Sequence, residues 1–403
     1  MNVILAVTGS VSAYKAPWLV RDLIRDGHSV RVLCTPSATQ FVAPLALEAV
    51  SKHPVVINQY DPTIQGGGSW HVQWAQWAHV LLVAPCSATS LARLSYGLSD
   101  TAMMTVALSL PQGTPIVVAP AMDTDMWHHP ATQHNVAVLR QRGIHVVPPE
   151  AGELASGLVG AGRLPENSVL CAAVRRAVTP PTLHGLRVVV SAGPTHEAID
   201  DVRMIANHSS GTMGYAIAAA AALRGAHVTL ISGPTALPTP FGVHRKDVIS
   251  ASDMGDAMSA VAARADIVVM AAAVADFRVA RPLSGKMKKS DGTVPMSLEL
   301  EQTTDILATL GQTKPEQQTL VGFALEASDV LHYAAAKLER KNLDMIVANS
   351  PGPNSGFGAA TNTISILVRG EEPTHYPTMT KHACAEAILD SIEALRARRG
   401  DNR

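Results

Sequence analysis

Short runs rich in Val, Ile and Leu recur at residues 3–7, 30–34, 80–84, 116–119 and 145–147, each closed by Gly, Pro, Ser or Thr and followed by a longer helical segment. Runs this short and apolar suit strands buried on both faces, and strands alternating with helices make a parallel sheet covered on both sides. The pattern then stops. Thr179-Pro180-Pro181-Thr182 suits neither helix nor strand, and after it new runs appear at 187–191, 227–232, 266–271, 319–323, 345–348 and 363–368. A chain of 403 residues with 47 % hydrophobic content can bury more than one core, since single cores stop growing near roughly 250–300 residues. The expected fold is therefore α/β, with two doubly wound, Rossmann-like parallel-sheet domains at 1–178 and 187–403 and a linker at 179–186.

Open parallel sheets bind ligands beyond the carboxyl ends of their strands. The first strand runs into Thr8-Gly9-Ser10-Val11-Ser12-Ala13-Tyr14-Lys15, where small and hydroxyl residues enter a helix whose free N–H groups suit a phosphate. That turn matches neither GxGxxG nor the Walker A pattern, and taken alone it serves equally as an ordinary helix cap. Two more strand ends are built alike, Thr35-Pro36-Ser37-Ala38-Thr39 and Pro85-Cys86-Ser87-Ala88-Thr89-Ser90. Three such ends in one crevice favour a nucleotide or flavin over three unrelated caps. In the second domain Ser191-Ala192-Gly193-Pro194-Thr195 leads to Arg203 and then to Asn207-His208-Ser209-Ser210-Gly211-Thr212-Met213-Gly214, an anion seat beside an arginine fork or else a long capped loop. Ala271-Ala272-Ala273-Val274-Ala275-Asp276-Phe277 ends a buried strand in an acid, and Lys286-Met287-Lys288-Lys289 follows. Such lysines either form a solvated surface or neutralise a triphosphate.

A formal charge of −1 provides no basic field for a nucleic acid, so none is expected as a partner. Cys34, Cys86, Cys171 and Cys384 lie far apart without a CxxC pair, which argues against disulfides and zinc and for reduced thiols in a cytoplasmic protein. No apolar stretch nears the roughly 20 residues of a membrane span, and the first ten residues read as a buried strand rather than a signal peptide. Solubility without a membrane partner is expected. His128-His129 does not make a metal site, because adjacent helical side chains diverge and no third ligand is suitably spaced.

The TGSVSAYK turn, Trp70-His71, Pro120-Ala121-Met122-Asp123-Thr124-Asp125-Met126-Trp127 and Gly152-Glu153-Leu154-Ala155-Ser156-Gly157 together resemble the phosphopantothenoylcysteine decarboxylases over about residues 1–176. The resemblance implies a flavodoxin-like domain with FMN held at Gly9, Ser10, Thr35, Ser37, Ser87, Ala88 and Thr89. In that family FMN oxidises the substrate thiol, the neighbouring carboxylate leaves as carbon dioxide, and the reduced flavin returns the electrons. His71 falls on the family's active-site histidine. Asp123 stands where the family usually has Asn, and Ser156 where its flap usually has a proton-donating Cys. An ionised Asp would repel the substrate carboxylate, so Asp123 should be protonated or face away. A serine hydroxyl is far less acidic than a thiol, and one expectation is that Asp123 supplies the missing proton.

Over about 185–395, SAGPTHEAIDDVR, NHSSGTMGYA, AAAVADF, KMKK, Val321-Gly322-Phe323-Ala324-Leu325-Glu326 and Lys337-Leu338-Glu339-Arg340-Lys341-Asn342-Leu343-Asp344 resemble the bacterial phosphopantothenate–cysteine ligases in order and spacing. That family forms an acyl-cytidylate from CTP and 4'-phosphopantothenate with Mg²⁺, and the cysteine amine then displaces CMP. Carried over by position, Ala272, Ala273, Asp276, Lys286, Thr304, Asp305, Ile306, Leu307, Phe323, Lys337 and Lys341 fall on the CTP site, with Asn207 and Arg203 beside the acyl intermediate and Lys286 as the catalytic cation. No Mg²⁺ ligands are assigned. Thr212 for the usual lysine of SSGKMG, and Gln302-Thr303-Thr304-Asp305-Ile306 for KNPDI, each remove a cation, so a weaker phosphate grip is expected. The resemblance further implies a homo-oligomer, trimeric through the flavin domain and dimeric through the ligase domain, up to a dodecamer. Two other classes stay open: a ligase whose flavin domain serves assembly or regulation, and a non-enzymatic flavin-binding regulatory subunit.

Overall fold

The computed structural model describes residues 1–61, 63–64, 69–286, 297–325, 330–349 and 361–400. It forms two compact units, Met1–Thr179 and Pro180–Arg403. Met287, Lys288, Lys289 and Glu326, each part of an expected motif, lie outside the described residues.

In the first unit, β1 (Asn2–Val7), β2 (Ser29–Cys34), β3 (Val80–Cys86), β4 (Ile116–Pro120) and β5 (His145–Val146) form a parallel sheet in the order β2-β1-β3-β4-β5. Successive side chains of β1 point to opposite faces. Val3, Leu5 and Val7 pack under α1 (Ala16–Arg25), α2 (Pro44–Ser51) and α8 (Asn167–Val178). Ile4 and Ala6 pack under α3 (Trp70–Trp77), α4 (Ala88–Tyr96), α5 (Ala102–Ser109) and α7 (Pro130–Gln141). Because both faces are covered, the strands carry no polar alternation, which is why the runs read so clearly. The short α6 (Thr124–His128) and an antiparallel hairpin of β6 (Glu150–Glu153) and β7 (Val159–Arg163) complete the unit. His129 Nδ1 accepts from Ala131 N at 3.2 Å, so this imidazole caps α7.

The second unit is an eight-stranded sheet built from β8 (Arg187–Ala192), β11 (His227–Ser232), β12 (Val243–Asp247), β13 (Ile267–Met270), β16 (Thr319–Leu325), β17 (Met345–Asn349), β19 (Ile364–Val368) and β20 (Thr374–His375), in the order β12-β11-β8-β13-β16-β17-β19-β20. Six strands are parallel, and β19 and β20 continue the edge antiparallel. The run at 363–368 thus departs from the expected parallel pattern; a strand added antiparallel at an edge needs no crossover helix. Val188 and Val190 face α9 (Thr212–Leu223) and α13 (Lys381–Arg399). Val189 faces the opposite side, covered by α10 (Ala251–Ala262), α11 (Ile306–Thr313) and α12 (Val330–Arg340). Among the described residues three two-stranded ribbons lie outside the sheet: β9 (His196–Ala198) with β10 (Met204–Ala206), β14 (Phe277–Val279) with β15 (Leu300–Gln302), and β18 (Thr361–Asn362) with β21 (Met379–Thr380).

Candidate active sites

The order β2-β1-β3 places the first sheet's switch point between β1 and β3, where doubly wound sheets open a ligand crevice. The hydroxyl-rich ends meet there. Thr8 Oγ1 donates to Pro85 O at 2.8 Å and accepts from Ser87 N at 2.8 Å, tying the β1 and β3 ends together. On the other side Thr35 Oγ1 lies 3.1 Å from Ser37 Oγ. A Cβ on Gly9 would sit 2.5 Å from Ser37 Oγ and 2.7 Å from its Cβ, so the backbone passes at a distance only glycine allows. Ser87 caps α4, and Ala88 and Thr89 form its first turn with their N–H groups toward the crevice. Gly9, Ser10, Thr35, Ser37, Ser87, Ala88 and Thr89 therefore lie on three adjacent strand ends, a cradle that fits a flavin phosphate.

A cavity of about 660 Å³ adjoins this cradle, lined by Ser10, Lys15, Asp123, Glu153, Ser156 and Arg163 among others. Ser10 Oγ donates to Ala121 O at 3.1 Å, anchoring the phosphate turn to the segment that carries Asp123. The flap hairpin is pinned to the same segment through Met122 N donating to Gly162 O at 3.1 Å. Only glycine fits at position 162, because a Cβ would lie 2.2 Å from Met122 O. Asp123 thus shares the cavity with Ser156 and does not face away, and its Oδ1 is buried without a hydrogen-bond partner. Lys15 and Arg163 bring two cations, both near Glu166 Oε1, at 3.5 and 3.9 Å. His71 is not among the lining residues. It opens α3, half-buried and edge-on to Trp70 at 5.9 Å.

In the second unit the crevice lies between β8 and β13. The isolated bridge Pro194↔Ala273 and the bond from Ala273 N to Gly193 O at 2.9 Å hold the two strand ends together. Asn207 Nδ2 donates to Val274 O at 3.0 Å, drawing its loop onto the Ala271–Ala275 segment. Arg203 Nη1 pairs at 3.0 Å with Asp200, whose buried carboxylate also accepts from Val202 N and Arg203 N. Asp276 is exposed, its carbonyl accepting from Thr303 N at 2.9 Å, which sets Thr304 and Asp305 close by. Lys286 is exposed, next to Gly285, whose N–H binds Asp201 Oδ2 at 2.8 Å.

Two lysines at the other end of this set are engaged. Lys341 Nζ pairs with Asp305 Oδ2 at 2.7 Å, and Lys337 Nζ donates to Phe323 O at 2.8 Å. Burial raises the Asp305 carboxyl, but hydrogen bonds from Lys341 and Ala308 N and the charges of Lys341 and Lys337 outweigh it and hold the acid below its ordinary range. Ile306 and Leu307 turn their side chains into the core, 6 % and 8 % exposed, so only their backbone N–H groups at the start of α11 are left for a ligand. Among the described residues no three His, Cys, Asp or Glu side chains gather as a metal site.

Residues 1–179 match the family model described as Flavoprotein, and residues 183–395 match the DNA/pantothenate metabolism flavoprotein C-terminal domain. Across both halves the chain is 43 % identical to the coenzyme A biosynthesis bifunctional protein CoaBC of Bacillus subtilis, covering 99 % of this chain and 98 % of that protein. It belongs to the CoaBC family. The CoaBC protein of Escherichia coli K12 is 39 % identical, over 97 % of this chain and 96 % of its own. A solved C-terminal domain of CoaBC is 41 % identical with a TM-score of 0.45, covering 53 % of this chain and 97 % of that one. As a CoaBC family member the chain is a bifunctional enzyme of coenzyme A biosynthesis, with a decarboxylase half and a ligase half, and the two non-bifunctional readings are not favoured. No helix among the described residues is long and apolar enough to cross a membrane.

Sequence reasoning missed several lining residues. Lys15 lies in the TGSVSAYK turn, whereas Arg163 lies six residues beyond the Gly152–Gly157 segment, outside every quoted motif. Asn349, Asn362 and Lys381 line a ligase-side cavity; Asn349 closes the apolar 345–348 run, a strand-end signal that was available, whereas Asn362 and Lys381 had none.

Proposed function

We propose that residues 187–403 join 4'-phosphopantothenate to cysteine with CTP and Mg²⁺, and that residues 1–178 decarboxylate the product with FMN, both in the cytoplasm and in a homo-oligomer. The observation that carries the ligase reading is the Asn207–Val274 contact, which puts an amide beside the strand end bearing Ala272, Ala273 and Asp276. The pantothenoyl carboxylate attacks the α-phosphorus of CTP, pyrophosphate leaves, and the cysteine amine displaces CMP from the acyl carbon. Lys286 and Mg²⁺ offset charge gathering on the phosphates. Asn207 and Arg203 orient the acyl group, Asp276 and Phe323 hold the nucleoside, and the first amides of α11 with Lys337 and Lys341 meet the phosphates.

In the flavin half, FMN supplies the electron transfer that makes the carboxylate a leaving group. The residues of this chain do the rest. The β1, β2 and β3 ends hold the flavin phosphate, Lys15 and Arg163 face the substrate's negative charge, and His71, which lies off this subunit's own cavity, takes the thiol proton beside a neighbouring subunit of the homo-oligomer. Asp123 delivers a proton where the relatives' flap cysteine would, and Ser156 hydrogen-bonds the same group. Incubation with CTP, Mg²⁺, cysteine and 4'-phosphopantothenate should release pyrophosphate and carbon dioxide and yield 4'-phosphopantetheine by mass. Pyrophosphate without carbon dioxide would remove the decarboxylase assignment, and no pyrophosphate would remove the ligase assignment.

A further inference from the structure

A cleft of about 550 Å³ opens at the amino ends of the second unit's strands, away from the ligase crevice, between β8, β11 and β12 and the carboxyl end of α10. Side chains alternate along each strand. Val189 and Ile231 pack toward α10, so Arg187, His227 and Thr229 share that face. His244 joins them, since Val243 beside it packs toward α9 and α13. The register sets Arg187 opposite His227 and Thr229 opposite His244. Arg264, just past the end of α10, closes the cleft from the helix side, with Ala260 and Val261 as an apolar wall.

Two guanidiniums and two imidazoles thus line the cleft, and among the described lining residues there is no carboxylate. Asp266 stands beside it, accepting from Arg187 N at 2.8 Å with Arg187 Nε at 3.7 Å. The side chains of His227, His244 and Arg264 make no hydrogen bond or ion pair among the described residues. Side chains on neighbouring strands stand about 5 Å apart, where like charges repel. An ordinary solvated face interleaves acids with bases, as Arg278 meets Glu301 across the β14–β15 ribbon. Past Arg187 this row has no such relief. A helix carboxyl end favours cations, which accounts for Arg264 but not for the three basic groups on the sheet.

We propose that this cleft binds a diphosphate group, carried on a nucleoside or free, at a site separate from the ligase crevice. The basic groups of the sheet span three strands, about 10 Å, which is wider than one phosphate. The apolar wall leaves room for an organic part. β8 is 6 residues long, about 20 Å, so an occupant at its amino end does not touch a nucleotide at its carboxyl end. It steadies the sheet rather than reacting.

The test is calorimetric titration of the full chain with ADP and, separately, with pyrophosphate. It compares the unaltered protein with His244→Gln/Arg264→Gln and with the crevice variant Lys286→Gln. One binding component should weaken at least about 10-fold in the double variant, the loss that follows removal of a charged contact, and should persist in Lys286→Gln. KM for CTP in pyrophosphate release should not change in the double variant. ADP binding the tighter of the two points to a nucleotide as the occupant, and pyrophosphate the tighter to the free ion. An isotherm of the double variant that matches the unaltered chain overturns the proposal, and so does loss of the same component in Lys286→Gln, which would put it in the crevice. Should the double variant fail to fold, Arg264→Gln at the exposed helix end takes its place with the same expectations. The titration needs no turnover, so its outcome is independent of the ligase reading.

Discussion

Replacing Gly9 by Ala places a methyl group on the tightest contact of the flavin cradle. Its Cβ would stand 2.7 Å from Ser37 Cβ and 2.5 Å from Ser37 Oγ, whereas carbon atoms rest at about 3.5–4.0 Å. Roughly 1 Å must be found. Ser37 cannot simply rotate away, because its Cβ is fixed to the backbone of the turn capped by Thr35. Overpacking of this kind costs about 1–3 kcal/mol, equivalent to about a 5- to 150-fold weaker flavin. FMN affinity measured by fluorescence quenching should fall by that factor while CTP-dependent pyrophosphate release persists. Ser37→Gly removes the atoms in the way, so Gly9→Ala should cost far less in that background than alone, a coupling that a double-mutant cycle isolates. Unaltered FMN affinity in Gly9→Ala, or an equal loss in both backgrounds, would refute the steric reasoning.

Other perturbations separate the halves. Asp123→Asn should slow carbon dioxide release at least about 10-fold, the lower end of the range for a general acid, with pyrophosphate release untouched; full decarboxylation would reject Asp123 as proton donor. All four cysteines are buried and free, and burial pushes Cys34 and Cys171 up to about 12 and Cys384 up to about 11. With Ser156 on the flap, both activities should therefore survive iodoacetamide at pH 8, and rapid labelling of a native thiol would contradict the packing. Because the Asp305 carboxyl is held below its ordinary 3.8, its tie to Lys341 stabilises fully above that value and is lost as pH falls through the lower folded value. A melting profile between pH 6 and 3 should show a smaller acid loss for Asp305→Asn than for the unaltered chain. Gly311→Ala would set a Cβ 1.9 Å from Lys341 O and should raise KM for CTP by displacing that lysine's backbone; an unchanged KM would separate Lys341 from the nucleotide.

The strands were legible wherever both faces are covered. β8, β11, β13, β16 and β17 read as β-branched runs because helices pack on either side of them. β12 did not, since Val243-His244-Arg245-Lys246-Asp247 is an edge strand with one apolar residue, with His244, Lys246 and Asp247 exposed and Arg245 folded over Tyr215. The sites divide the same way. Ser, Thr and Gly at strand ends announce an anion seat by chemistry alone, whereas Ile306 and Leu307 share a motif with nucleotide contacts while their side chains serve the core. Lys381 was invisible because a lysine at the head of a charged helix looks solvated until the fold buries it.

The antiparallel edge has a consequence during synthesis. The flavin half is complete at Val178, yet about 220 residues separate it from the end of α13, or roughly 10–45 s at about 5–20 residues per second. For part of that interval β17 is an uncovered edge, since β19, which shields it, is translated afterwards. The nascent ligase half therefore passes through a stage that pairs with foreign strands more readily than the finished enzyme does, and chaperone demand should peak between the emergence of β17 and that of β19.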